Sequence, residues 1–201
     1  MWTLMDSARA VRPAVMTKEE RSGRPPVDRT PLIAWATGHL SEMLAQAPGE
    51  PDLTQQHTLA LRHAAAGMSN AEIGQAMCLT EDTVKSHMVE VFNRLGARGR
   101  TGAFVIGLAR GVIRPHDVLP AGSEPLELAA THRLLLLLIA CGLSLPEVAA
   151  LAEMSLDTVK SHLRVVLRRC GTTRSSHTVA VAIVLGLVQI PGLTLPVREP
   201  A

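Results

Sequence analysis

The residues Thr83, Val84, Lys85, Ser86 and His87 recur in the same order as Thr158, Val159, Lys160, Ser161 and His162. If each copy lies on a helix, the lysine and serine emerge side by side with the residues three and four positions further on. Such a face joins a cation to a hydroxyl, which suits guanine acceptors and flanking phosphates in a DNA major groove. It does not make an activated nucleophile. No Ser/His/Asp set, Gly-rich phosphate loop or pair of carboxylates at useful spacing is present, so no enzymatic activity and no cofactor are expected. Of the 20 Lys and Arg only Lys18, Lys85 and Lys160 are lysines, and two of them fill the same slot of the repeated motif.

The copies belong to a larger repeat. Sliding the chain by 75 positions also superimposes Leu53 on Leu128, His57 on His132, Gly67 on Gly142, Glu72 on Glu147 and Gly96 on Gly171, without an insertion. A fixed offset over some sixty residues marks duplication of one structural unit. The expected organisation is a flexible tail over 1–30, an amphipathic helix and linker over 31–52, one domain over 53–113, a linker over 114–127, a second domain over 128–190 and a C-terminal tail over 191–201.

Each unit reads as four helices. In repeat one, Thr54 is placed to cap a helix with apolar Leu59, Leu61 and Ala65, stopped by Gly67. Ser69 and Glu72 form a capping-box pattern ahead of a short second helix, and Ser144 with Glu147 repeats it. Thr80 opens a third helix with Glu81 and Asp82 in its first turn, running to Leu95 and ended by Gly96, and a fourth covers about 101–110. Repeat two gives about 124–141, 145–152, 155–170 and 176–185. Ahead of both, Pro31 to Gln46 has helical apolar spacing with Thr30 as a candidate cap. A short helix, a turn and a longer helix make the helix-turn-helix pattern, so the fold class is all-α, with two such units in tandem.

The third helix of repeat one turns Val84, His87, Met88, Val91 and Leu95 inward and leaves Lys85, Ser86, Val89, Glu90 and Asn93 outside. In repeat two the outward set is Lys160, Ser161, Arg164, Val165 and Arg168, with Arg169 beside it. The formal charge is only +2, but basic residues gather on the later half of each repeat. Residues 79–113 hold five basic and three acidic side chains, whereas 154–190 hold five and one. Electrostatic affinity is therefore expected mainly from repeat two.

At 2% aromatic residues, base-stacking surfaces are essentially lacking, which argues against single-stranded RNA. Cys78, Cys141 and Cys170 form no CxxC pair and read as buried thiols of a reducing cytoplasm. No histidine has metal-ligand spacing, and no metal site is expected. The apolar runs 134–143 and 179–188 are about half of a bilayer span, and no signal-peptide core is seen.

Residues 67–113, from GMSNAEIGQAM through TVKSH to NRLGARGRTG, resemble the C-terminal DNA-binding domain of LuxR-type (GerE-type) bacterial transcription regulators. The resemblance extends over about 53–113, and 128–188 is a looser version that lacks the family's Arg-x-Arg-Thr. It implies base reading by Lys85, Ser86 and Val89, and by Lys160, Ser161 and Arg164. It implies phosphate contacts at Thr83, Arg98 and Thr158, with Arg174 a shifted stand-in for the missing arginine. The fourth helices, 103–110 and 179–185, would be the dimer contact, either between two chains or within one as a pseudo-dimer. The family's first-helix Glu is replaced by His57 and His132. Full-length relatives carry a receiver or sensing domain ahead of this unit, and fifty residues are too few for one, so phosphorylation or autoinducer control within this chain is not expected. The resemblance implies a bacterial, cytoplasmic, nucleoid-associated regulator binding double-stranded DNA. Two rivals stand beside it: an interaction module that blocks an intact LuxR-type partner through the fourth helix, and a factor acting through RNA polymerase, since sigma region 4 has a similar helix-turn-helix.

Overall fold

The computed structural model describes residues 28–119, 126–193 and 195, and among them every regular element is helical. Helix α1 (Thr30–Gln46) is followed by α2 (Gln55–Ala65), α3 (Asn70–Met77), α4 (Glu81–Leu95) and α5 (Arg100–Ala109). A short α6 (Pro115–Val118) leads to α7 (Ala130–Ala140), α8 (Leu145–Leu151), α9 (Leu156–Arg169) and α10 (Ser175–Val184). Helices α7 to α10 start 75 residues after α2 to α5 in turn, so the spacing of the sequence repeat is carried through to the elements. The tail expected over 1–30 lies, up to residue 27, outside the described residues.

The local signals explain the starts. Thr54 accepts from the His57 amide, Thr80 from the Thr83 amide, and Ser155 from the Thr158 amide. Ser69 and Glu72 close a reciprocal box, while the Ser144 amide and hydroxyl both donate to Glu147, and these bonds hold both carboxyls below the usual carboxylate range. Gly96 ends α4 in the left-handed conformation at φ 66°, where a Cβ would be strained.

Four expectations need correction. Thr30 lies inside α1 and its amide is accepted by Asp28, a carboxylate two residues upstream that can reach it. Leu59 is 43% exposed, and Ala60, Leu61 and Ala64 fill the buried side of α2 instead. Cys78 is exposed because it occupies the left-handed cap after α3, pointing away from the core; Cys141 is buried and Cys170 half-buried. The first helix of repeat two starts at Ala130 rather than near residue 124, and the linker contains α6, where Pro115 presets the first turn and Asp117 accepts from the Arg114 amide.

Helices α2, α3 and α4 pack on one another, as do α7, α8 and α9. The halves meet through α5 and α10, which pack together, while α10 also covers α2 and α6, and α5 touches α7. These contacts bury seven consecutive residues of α5, Gly102 to Leu108, so that helix has no free face there. Helix α1 spans both halves. Near its start Arg29 donates to Thr131 (2.9 Å) and its Ala36 carbonyl accepts from Cys141; at its end Leu44, Ala47 and Pro48 carbonyls accept from Arg110.

Candidate nucleic-acid interface

Helix α4 is amphipathic in the expected register. Val84, Met88, Val91 and Leu95 are buried, and Lys85, Ser86, Val89 and Asn93 are exposed, with Val89 at 57%. The charges on its outer face are largely neutralised locally. Lys85 Nζ lies 3.0 Å from Asp82 Oδ1 and 3.3 Å from Glu81 Oε1, and these carboxylates raise the ammonium above its ordinary pKa. Ser86 donates its hydroxyl back to the Asp82 carbonyl. Glu90 accepts from Arg94 Nε at 2.7 Å, and Arg94 also reaches Asp52. Thr83 shares its hydroxyl with Thr80 at 2.8 Å, and Arg98 is exposed without a bond to any described residue.

Helix α9 presents the same geometry with a different charge pattern. Val159, Leu163 and Val166 are buried. Lys160, Ser161, Arg164, Arg168 and Arg169 are exposed and make no hydrogen bond or ion pair among the described residues. Where repeat one has Glu81, repeat two has Leu156, so one of the two carboxylates that engage Lys85 has no counterpart at Lys160. Thr158 mirrors Thr83, its hydroxyl 2.8 Å from Ser155. The free cations thus concentrate on α9, as the charge distribution predicted.

Arg174 is placed elsewhere. It sits at the N-terminus of α10, half-buried, and donates across the molecule to the Gly67 carbonyl at 2.6 Å. The phosphate contact implied for it by resemblance competes with this bond, because the guanidinium is oriented into the junction between the repeats.

Behind α4 and α9 lie histidine pairs that sequence reasoning did not assemble. The His57 and His87 rings meet edge to face at 5.2 Å and 66°, and those of His132 and His162 at 5.2 Å and 65°. In the second pair His132 Nε2 is 3.2 Å from His162 Nδ1. His57 and His132 therefore pack against the histidine of the repeated motif, tying α2 to α4 and α7 to α9. His57 and His132 are 8% and 6% exposed, and burial, then the neighbouring imidazole, pushes both below the ordinary histidine pKa. The signal available in sequence was the pair of histidines thirty residues apart in both repeats.

Among the described residues no cluster of His, Cys, Asp or Glu could hold a metal ion, and no helix is long and apolar enough to cross a membrane.

Residues 51–106 match the family model "Bacterial regulatory proteins, luxR family". Over 72 residues the chain is 31% identical to the transcriptional regulatory protein YdfI of Bacillus subtilis, covering 36% of this chain and 34% of that protein. Over 62 residues it is 40% identical to the quorum sensing-dependent transcriptional regulator RpaR of Rhodopseudomonas palustris, covering 31% and 26%. With the transcriptional activator AhyR of Aeromonas hydrophila it shares 25% identity over 109 residues, 50% of this chain and 42% of that one. The chain therefore spans less than half the length of these relatives. No solved structure matches it significantly. Residues 51–106, which form α2 to α4 and most of α5, are a luxR-family (GerE) helix-turn-helix domain.

Proposed function

We propose that this chain is a non-enzymatic transcription regulator that binds double-stranded DNA sequence-specifically with two helix-turn-helix units, one over 53–113 and one over 128–190. In this reading α4 and α9 enter successive major grooves. Lys85, Ser86 and Val89 face bases in one half-site, and Lys160, Ser161 and Arg164 in the other, with Thr83, Arg98, Thr158 and Arg168 on phosphates. The observation that carries it is the exposed, unpaired cationic face of α9, at the same register of the repeat as the reading helix of the luxR-family domain.

One reading helix covers few base pairs. Joining two raises the effective concentration of the second, so a single chain acts as its own pseudo-dimer. The packing of α5 on α10 supports this, because the helices that would pair two chains are engaged within one. The faces differ, so the operator should have two unlike half-sites. The working compartment is the bacterial cytoplasm, at the nucleoid.

The test is selection from random duplex DNA with the full-length chain at near-physiological salt, since affinity varies steeply with salt. A two-part motif with unlike halves is expected; two identical halves would refute the asymmetric reading, and no enrichment by a folded protein would refute DNA reading.

A second reading, a module that blocks a luxR-family partner, draws on the neutralised Lys85 and on Glu90. It needs a free fourth helix, and the burial of α5 and its packing against α10 weigh against it. Lys160→Ala with Arg164→Ala separates the two: regulation survives in the second reading and is lost in the first.

A further inference from the structure

The junction between the repeats is asymmetric, and its polar contacts converge on one loop. Gly67 lies between α2 and Ser69, the cap that starts α3. Its φ is +91°, and a Cβ built there would lie 2.4 Å from His177 Nδ1, so the imidazole of repeat two occupies the space that a side chain would fill. Arg174 Nη1 donates to the Gly67 carbonyl at 2.6 Å. His177 Nε2 lies 3.4 Å from the Val118 carbonyl of α6, which itself packs on α10 and α2. From within repeat one, Arg100 holds the next residues of the same loop through Met68 O and Asn70 Oδ1.

The equivalent loop of repeat two has no such clamp. Around Gly142 a Cβ would meet nothing within 4 Å, and the positions matching Arg174 and His177 in repeat one are Gly99 and Gly102. Two side chains of repeat two thus grip the turn that feeds α3, which packs on the reading helix α4, and nothing reciprocates.

We propose that Arg174 and His177, seated on Gly67, are positioning residues that set the register between α4 and α9 and so determine which half-site spacing the chain accepts. This rests on the two-reader function above. Without the clamp, α5 against α10 still joins the halves, but the angle between the readers is less defined. Since the avidity of joined readers collapses when geometry forbids simultaneous engagement, a defined register becomes a spacing preference.

The experiment uses the full chain and duplexes carrying the two selected half-sites separated by variable spacers. The wild-type chain should favour one spacing by about tenfold or more. Arg174→Ala/His177→Ala, verified as folded by circular dichroism, should spread its binding nearly evenly over neighbouring spacings and keep single half-site affinity within about twofold. Arg174→Lys, which retains one donor toward Gly67, should recover part of the preference. An unchanged preference in the double variant would overturn the proposal. So would an equal loss of affinity at every spacing, which identifies Arg174 as a phosphate contact.

A readout without DNA keeps the clamp separate from the two-reader function. Spin labels at Ser86→Cys and Ser161→Cys, with Cys78→Ser and Cys170→Ser to remove the accessible thiols, report the distance between the readers. Cys141 stays unlabelled, because burial pushes its thiol up to about 12. A narrow distribution that broadens in the double variant sustains the clamp even if no DNA sequence is enriched, in which case it is the reader function that fails. A distribution that does not change overturns the clamp itself.

Discussion

Replacing Lys160 and Arg164 by Ala removes two of the exposed cations of α9 that have no partner among the described residues. Each phosphate-neutralising contact contributes about 0.9 to the slope of log K against log salt, so Arg168→Ala, placed on a phosphate in the proposed complex, should lower the magnitude of the slope by about 1. Lys160 and Arg164 are proposed base readers of α9, at about 1–3 kcal/mol each, so losing both lowers affinity at fixed salt by roughly 30-fold or more. The opposite change is available in repeat one. Glu81→Gln with Asp82→Asn frees Lys85 from carboxylates 3.3 and 3.0 Å away and removes two negative charges from the reading helix. That variant should bind more tightly and with a slope steeper by about 1 or more. Fluorescence anisotropy of a labelled operator, titrated across a salt series, measures both. Unchanged affinity in Lys160→Ala/Arg164→Ala together with an unchanged slope in Arg168→Ala would refute the placing of α9 on DNA and the division of labour between the repeats.

Three other outcomes are expected. His57, His132 and His177 all lie below their ordinary value of 6.5, with burial as the first cause, so the unfolded chain binds more protons than the folded one. Their contribution to stability is complete above that value and is lost as pH falls through it toward the depressed folded values; melting temperatures from about pH 8 to about pH 5 should fall, and a flat profile would contradict the burial argument. Ser69→Ala opens the capping box of α3 and should cost about 1 kcal/mol, and Ser144→Ala, which removes only the hydroxyl bond to Glu147, should cost no more, both measured from urea midpoints. Phe104→Ala removes a fully buried ring from α5 and should cost about 3–5 kcal/mol; because α5 packs on α10, calorimetry should still show one transition, and two separated peaks would mean that the halves melt independently.

The helices and the outward faces of α4 and α9 are legible in the sequence because their determinants are local. Caps at Ser69, Thr80 and Thr54 lie three residues from the amides that donate to them, and the apolar stripe of α4 follows the helical period. Side chains with no local competitor were placed correctly, as at Arg164 and Arg168. The sequence reading is incomplete where the deciding partner is distant or where one residue has two local roles. Glu81 and Asp82 are first-turn acids, as the sequence indicates, and they also engage Lys85 one turn later. Arg174 bonds to Gly67, 107 positions away, and no periodicity announces such a contact. The histidine pairs needed the packing of the first helix on the third, which only the fold supplies. In α6, Pro115 and Asp117 were a start signal hidden in a stretch short enough to be taken for linker.

Helix α1 is held at its start by groups from residues 102 and 105 positions further along the chain. During synthesis at about 5–20 residues per second, those partners emerge roughly 5–20 s after α1 itself. In that interval Ala36 and Leu40, buried in the finished protein, have no seat on α7, while the Arg110 contacts at the other end of α1 can already form. Helix α1 is therefore fastened at its start long after it is made, and the nascent chain offers an apolar helix to any chaperone at the ribosome exit until repeat two arrives.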